Sequence, residues 1–207
     1  IMYVVRFLQG RLDEIDEAFR SQWEQHPNVP AFRGAIAHLH LHLGREEQAR
    51  EELERLAAND FADLPRNWTM PTILMEMAEV AAALGDMRRA AVLYNLLLPF
   101  AGRLLTLAYN VACVGSIAHW LGLLAGTLRQ WDAAVAHFEA AIETNARVGA
   151  RPYLARSQHE YARMLIERNA SGDKEKARTL LTETIATYRE LGMPSFLEMA
   201  EALLQEL

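Results

Sequence analysis

The chain has 207 residues, of which 51% are hydrophobic and 23% charged, so it is long enough to bury a large core. Its formal net charge is −6, and the longest run of basic residues is Arg88-Arg89, which argues against direct nucleic-acid binding because phosphate contacts need clustered positive charge. The single cysteine, Cys113, excludes an internal disulfide and favours a reducing compartment, so we expect a cytoplasmic location.

Apolar residues recur at intervals of three and four along most of the chain, which predicts an all-α fold. The predicted helical hairpins cover residues of about 1–27, 30–58, 70–98, 115–148 and 152–191, and an amphipathic helix at 195–206 caps the end. Residues 99–114 are predicted as a long connector that could include an extra helical turn. Pro27 and Pro30 bracket the first turn between hairpins.

The N-terminal residues predict that the sequence is part of a longer protein. Residues 1–9 resemble the end of a helix that starts before Ile1. They carry neither the basic leader nor the small-residue cleavage site of a signal peptide. We therefore expect one repeat domain over 1–207, taken from a larger chain.

The second helix of each predicted hairpin carries a small or apolar anchor and a larger residue four positions later. The anchors are Ile15, Ala49, Ala90, Ala134 and Ala177, and the larger residues are Phe19, Leu53, Tyr94, Phe138 and Leu181. Successive anchors are 34, 41, 44 and 43 residues apart; the first spacing equals the tetratricopeptide period and the others exceed it by loop insertions. This repetition predicts a right-handed superhelix of tetratricopeptide-like (TPR-like) hairpins.

Several segments resemble a known bacterial group. They are LYNLLLPFAGR (93–103), IAHWLGLLAGTLRQWDAAVAHFEAAIETNARVGARPYLARSQHEYARMLIERN (117–169) and GDKEKARTLLTETIATYRELGM (172–193). They resemble the C-terminal TPR-like region of multidomain signalling ATPases of the STAND or AAA type, often associated with class III nucleotide cyclase or LuxR-type DNA-binding domains. The resemblance implies a sensor or interaction arm rather than a catalytic domain. The sequence departs from the group at Arg129-Gln130 and over 104–109.

No catalytic or cofactor motif is present in the sequence. It lacks a phosphate-binding GxxxxGK[ST] loop, a GxGxxG turn and a GxSxG elbow. His159-Glu160 begins an HExxH-like run, but Arg163 occupies the place of the second histidine. We therefore expect neither enzyme activity nor a cofactor. The stretch 104–128 has no charged residue, but polar residues and glycines interrupt it, and no membrane span is predicted.

The run His38-Leu39-His40-Leu41-His42 is unusual. On a helix, His38 and His42 share a face and His40 points away. Two imidazoles at this spacing can bind a metal ion, but a zinc site needs at least a third protein ligand. No carboxylate or cysteine lies at helical spacing to supply it, so the sequence predicts no metal site.

The predicted superhelix would place the first helix of each hairpin on its concave side. A stripe of polar residues on these helices then faces a groove, and its members are His38, His42, Glu79, His119, Arg156, His159 and Arg163. Two interpretations stay open. The stripe is either the ordinary polar wall of a solenoid or a binding site for an acidic or polar partner.

The sequence therefore predicts a non-catalytic helical-repeat scaffold. Its expected role is protein–protein interaction, or regulation of an upstream ATPase, cyclase or transcription-regulator module. The expected partners are a protein or peptide segment, or sibling domains of the same chain. The alternative is an inducer-sensing domain that binds a small polar ligand, and an enclosed apolar pocket with few polar groups would favour it. Neither membrane nor nucleic acid is expected as a partner.

Overall fold

Prolines mark the start of four long helices, because proline fits the first helical turn, where the backbone N–H groups have no partner. The computed structural model of the chain describes residues 2–26, 29–107 and 112–207, so Ile1, the Pro27 turn and the part 108–111 of the predicted connector lie outside the described residues. The helices within these ranges are α1 (Met2–Leu8), α2 (Asp16–Gln25), α3 (Pro30–His42), α4 (Glu46–Leu56), α5 (Met70–Ala83), α6 (Met87–Leu97), α7 (Ala118–Thr127), α8 (Trp131–Arg147), α9 (Arg151–Arg168), α10 (Asp173–Leu191) and α11 (Pro194–Gln205). Short 3₁₀ helices cover Leu12–Ile15 and Leu98–Phe100.

Consecutive helices pack as pairs, and the pairs pack on one another. The pairs are α3 with α4, α5 with α6, α7 with α8 and α9 with α10. The first helices also form a row, in which α3 contacts α5, α5 contacts α7 and α7 contacts α9. We call the side of this row that carries the predicted polar stripe the first-helix face. The predicted all-α, TPR-like helical repeat is confirmed by this arrangement.

The seam within each pair is apolar and contains a predicted anchor, whereas the fifth anchor, Ile15, ends the 3₁₀ helix Leu12–Ile15 and is half-buried. Ala134 and Phe138 are fully buried, as are the equivalent residues of α4 and α10, namely Ala49, Leu53, Ala177 and Leu181. Gly122 on α7 lies against Phe138, and a Cβ atom at this position would lie 2.8 Å from the Phe138 ring. Glycine is therefore required where α7 and α8 cross most closely. Tyr161 of α9 stacks on Phe138 at a centroid distance of 5.6 Å, which continues the core into the next pair.

The predicted connector over 99–114 contains a β-hairpin, which is a correction to the expected irregular structure. Strands β1 (Leu104–Leu107) and β2 (Ala112–Ser116) pair antiparallel, with Leu104 opposite Ser116 and Leu107 opposite Ala112. The extra helical turn is the 3₁₀ helix Leu98–Phe100. The strands have only four and five residues. An alternation of apolar and polar residues over so short a length does not distinguish a strand from a loop in the sequence. Gly115 has a φ of +95°, and a Cβ there would approach Tyr153 to 2.7 Å.

Helix α1 stays in contact with α2, since the Tyr3 ring lies 5.1 Å from the Phe19 ring, but its other contacts reach beyond the predicted first hairpin. It does not stack along α3 as α3 stacks along α5. Its Phe7 ring instead contacts His42 of α3 at 4.7 Å and Phe196 of α11 at 5.4 Å, both between ring centroids. Helix α11 packs on α10 as the predicted cap would, and it also meets the N-terminal helix through this aromatic contact. The two ends of the chain therefore meet over the first-helix face.

The uncharged stretch 104–128 divides between the β-hairpin and the ten-residue helix α7. Across the described ranges, no helix combines the length and apolar character that a membrane span requires.

Candidate functional site

A buried carboxylate on α5, that of Glu79, is the centre of the polar cluster on the first-helix face. The Trp120 indole Nε1 of α7 donates a hydrogen bond of 2.8 Å to its Oε1 atom. The Arg156 guanidinium of α9 donates one of 2.9 Å to its Oε2 atom. His38 Nε2 and His42 Nε2, both of α3, lie 3.1 and 3.4 Å from the same Oε2 atom. Three different helices therefore place polar groups around one carboxylate.

The ionisation of Glu79 follows from these neighbours. Burial by itself raises the pKa of a carboxyl group, because it disfavours the charged form. The positive charge of Arg156, followed by His38, outweighs burial and holds the pKa of Glu79 well below its usual range. Burial lowers the pKa of Arg156, but the Glu79 charge outweighs it and raises the net value. Glu79 and Arg156 consequently form an ion pair in which each residue is only 6% exposed.

The two histidines of α3 differ in their surroundings. His38 is buried, and its Nδ1 atom lies 2.7 Å from the Tyr3 hydroxyl of α1. Its other ring nitrogen, Nε2, is thereby directed at Glu79. The His42 side chain is 27% exposed, and burial together with the neighbouring His38 lowers its pKa to about 4. His42 is therefore a neutral imidazole at physiological pH.

A second buried carboxyl group, Glu76, lies one helical turn before Glu79. Burial, followed by the charge of Glu79, raises its pKa well above the usual range and so favours its protonated form. Within the described residues its Oε2 atom has no hydrogen-bond partner. Burial and these two carboxyl groups also raise the pKa of the Tyr3 hydroxyl. The cluster thus combines a carboxyl group whose surroundings favour the charged form, Glu79, with one whose surroundings favour the neutral form, Glu76.

A cavity of about 560 Å³ lies beside this cluster. Its polar wall includes five predicted stripe residues, which are His42, Glu79, Arg156, His159 and Arg163. Its apolar wall includes Phe7 of α1, Leu123 of α7, and Phe196 and Met199 of α11. The terminal helices therefore form one side of the cavity and the first-helix face forms the other.

The remaining predicted residues divide between the cavity and the core. Arg163 is on the cavity wall with a side chain 48% exposed, and it donates a hydrogen bond of 2.7 Å to Glu160. Burial would raise the pKa of Glu160, but Arg163 and His159 lower it to about 2. His159 is buried at the cavity wall, and burial lowers its pKa.

His119 does not line the cavity. Its ring is buried beside Trp120, and its Nδ1 atom lies 3.1 Å from the Ser157 hydroxyl. Its Nε2 atom has no partner among the residues that the structure describes, and burial followed by Arg156 lowers its pKa to about 4.

Five polar or aromatic residues of the site were not identified from the sequence. They are Tyr3, Phe7, Glu76, Trp120 and Glu160. The pair Tyr3 and Phe7 has a signal in the sequence, because two aromatic residues four apart lie on one face of a helix. Trp120 had none, since an indole in an apolar helix is typical of a core residue.

Comparisons with known proteins agree with the fold. A family model described as a tetratricopeptide repeat matches residues 6–70, which include α2, α3 and α4. The chain is also similar to a solved structure, the crystal structure of BtubC (BKLC) from P. vanneervenii. The two are 18% identical, the match covers 96% of this chain and 80% of that chain, and the TM-score is 0.54. At this identity the similarity concerns the fold alone. No curated protein matches the chain.

Proposed function

We propose that this chain is a non-catalytic interaction module whose first-helix face binds a helical protein segment. TPR repeats generally mediate protein–protein interactions, and they are typically scaffolds without catalysis. The single observation that carries the proposal is the position of α1, a short helix that lies on the first-helix face and inserts aromatic side chains among its polar groups. A partner helix with similar side chains would use the same contacts.

Two aromatic side chains one turn apart make the contacts between α1 and the polar cluster. Tyr3 hydrogen-bonds to His38, while the Phe7 ring lies 4.8 Å from the Arg156 guanidinium carbon. Met2 and Val5, on the other side of the helix, are exposed. Phe7 is the buried residue of α1, whereas Tyr3, Val4, Arg6 and Leu8 are half-buried. A segment whose side chains are mostly half-buried or exposed is a suitable element for displacement by a partner.

The resemblance of the second half to signalling ATPases gives this module a context. In the proposed context, the bound segment comes from an upstream ATPase, cyclase or DNA-binding module of the same cytoplasmic protein, or from a separate partner. Binding at the first-helix face would compete with α1, and the release of α1 would change the orientation of whatever precedes it. The chain would then act as a regulatory arm.

Peptide competition in the full chain tests the proposal. A labelled peptide with the sequence of residues 2–9 is titrated against the wild type and the Phe7→Ala variant, and its anisotropy is followed. We expect the variant to bind the peptide more tightly, since its own α1 competes less. A peptide carrying Phe7→Ala should bind more weakly, whereas one carrying Val5→Ala, at an exposed position, should match the parent peptide. Equal binding of all three peptides, or of none, would refute the proposal.

The cavity supports a second candidate function, the sensing of a small polar ligand. Its volume of about 560 Å³ lies within the range of small-molecule sites, and its apolar wall faces a few polar groups. The exposed Arg163 side chain is available to an anionic group. A thermal-shift screen of small carboxylic acids against the wild type and Arg163→Gln tests this function. A ligand that raises the melting temperature of the wild type alone would support it.

A further inference from the structure

Three metal-binding side chains converge beside the cavity from two different helices. His38 and His42 lie on one face of α3, and Glu79 faces them from α5. Their ligand atoms all lie within 4.8 Å of one another. The Oε2 atom of Glu79 is 3.1 Å from His38 Nε2 and 3.4 Å from His42 Nε2. In a tetrahedral zinc site, ligand bonds of roughly 2.0–2.1 Å place neighbouring donor atoms about 3.3 Å apart. The two separations that involve Glu79 therefore already match such an ion, and the third, between the two imidazoles, is within 4.8 Å.

We propose that His38 Nε2, His42 Nε2 and Glu79 Oε2 bind a divalent transition-metal ion, with Zn²⁺ as the best chemical match. Two imidazoles and one carboxylate are the three protein ligands of several zinc sites that leave one position open. Imidazole donors also favour Zn²⁺ over Mg²⁺ and Ca²⁺, which prefer oxygen ligands. The cavity borders His42 and Glu79, so a water molecule or an anionic ligand in the cavity would complete the coordination.

The groups behind the three ligands support this assignment. The Tyr3 hydroxyl lies 2.7 Å from His38 Nδ1, so His38 can donate its Nδ1–H there and keep the Nε2 lone pair for the ion. The Trp120 indole donates a hydrogen bond of 2.8 Å to the Oε1 atom of Glu79, so the Oε2 atom faces the histidines. Partners of this kind fix the orientation of ligands in natural metal sites.

Arg156 is the one group that opposes a cation at this position. Its guanidinium donates to the same Oε2 atom at 2.9 Å, and it lies 4.8 and 5.5 Å from the centroids of the Phe7 and Phe196 rings. A carboxylate oxygen has two lone pairs, so Oε2 can accept from Arg156 and still bind an ion. The nearby positive charge weakens binding of the ion. We therefore expect moderate affinity in the wild type and tighter binding when Arg156 is replaced by an uncharged residue.

Titration of the full chain, without a histidine tag, with Zn²⁺ and with Co²⁺ tests the site. Calorimetry should give one Zn²⁺ per chain, and bound Co²⁺ should show the intense visible absorption of a four-coordinate ion. His42→Ala should weaken binding at least about tenfold, because a direct ligand is lost. His40→Ala is the matched control. His40 belongs to the same histidine run on the same helix but lies outside the ligand cluster. The affinity of the His40→Ala variant for Zn²⁺ should therefore equal that of the wild type.

A second measurement keeps the test valid if a ligand variant folds poorly. In Arg156→Met, Zn²⁺ replaces a missing positive charge beside Glu79, so it should raise the melting temperature more than it does in the wild type. The proposal is overturned if the wild type binds neither ion. It is equally overturned if His40→Ala loses as much affinity as His42→Ala, which would indicate adventitious binding, or if Zn²⁺ stabilises Arg156→Met less than the wild type.

Discussion

The seam between α7 and α8 and the polar cluster around Glu79 are both buried, but their stability has different origins. The seam joins Gly122, Ala134 and Phe138, which have no charge and fit by size alone. The cluster joins Glu79, Arg156 and His38, whose burial is tolerated only because each polar group has a partner. Removing atoms from a seam residue lowers stability in proportion to the apolar contact that is lost. Removing one partner from the cluster instead leaves an unpaired charge in the interior. The difference indicates which buried contacts depend on shape and which depend on matched charges.

Phe138→Ala should have the largest effect on stability. The side chain is fully buried between Gly122 and Tyr161, so its removal leaves a cavity and costs about 3–5 kcal/mol of the free energy of unfolding. Urea denaturation followed by circular dichroism measures the loss. Val148→Ala, at an exposed residue just after α8, is the control and should change the free energy by less than about 0.5 kcal/mol. A loss below about 1 kcal/mol for Phe138→Ala would show that the seam can collapse around the cavity.

Arg156→Met should destabilise the chain by about 3 kcal/mol, because Glu79 would remain buried and charged without its strongest partner. Glu79→Gln should also destabilise the chain, because it removes the same ion pair. The loss should be smaller, since the amide oxygen can still accept a hydrogen bond from Trp120. The double variant should lose clearly less than the sum of the two single variants. Urea denaturation of all four proteins completes the cycle. Additive losses would mean that Glu79 and Arg156 contribute to the free energy of unfolding independently of each other.

Glu76→Gln should have little effect near pH 4.5 and should stabilise the protein increasingly as pH rises to 8, by about 1.4 kcal/mol for each pH unit between the unfolded and the folded pKa of Glu76. The pKa of Glu76 is raised in the folded chain, so the stability of its neutral form is fully present below the unfolded pKa and is lost as pH rises toward the folded pKa. Glutamine cannot ionise, so the variant avoids that loss. Melting temperatures across this pH range measure the difference. Glu47→Gln, on the exposed side of α4, should show no such trend.

Arg189→Ala should have the smallest effect. Arg189 bonds to Glu201 at 2.8 Å and links α10 to α11, but the two side chains are 65% and 42% exposed. Exposed ion pairs of this kind contribute less than about 1 kcal/mol, and often nothing measurable. Thermal unfolding at low and high salt should give nearly equal stabilities for the variant and the wild type. A loss comparable to that of Arg156→Met would show that α11 depends on this pair rather than on its apolar contacts.

The sequence predicted the helices and the seams well, because a helix repeats every 3.6 residues and records its buried face locally. The anchors at Ala49, Ala90, Ala134 and Ala177 are all fully buried. Helical spacing also placed His38 and His42 on one face, and both indeed approach Glu79. The prediction for the connector was wrong, because paired antiparallel strands are present where irregular structure was expected.

The composition of the cluster could be predicted only in part. Glu79 and Arg156 were both expected on the groove stripe, but nothing in the sequence indicated that they pair across 77 residues. Tyr3 of α1 approaches His38 of α3 across 35 residues, and no helical spacing relates the two positions. His119 was expected on the same stripe, but its ring is enclosed in the core beside Ser157.

The sequence by itself determined that the chain forms paired helices with small and large residues in register, since that information repeats within each 34- to 44-residue unit. Tertiary structure alone decided where the polar side chains meet. The stacking of α3, α5, α7 and α9 brings Glu79, Trp120 and Arg156 together, and the meeting of α1 with α11 closes the cavity beside them. These contacts join residues that no local period relates, so only the packed fold contains them.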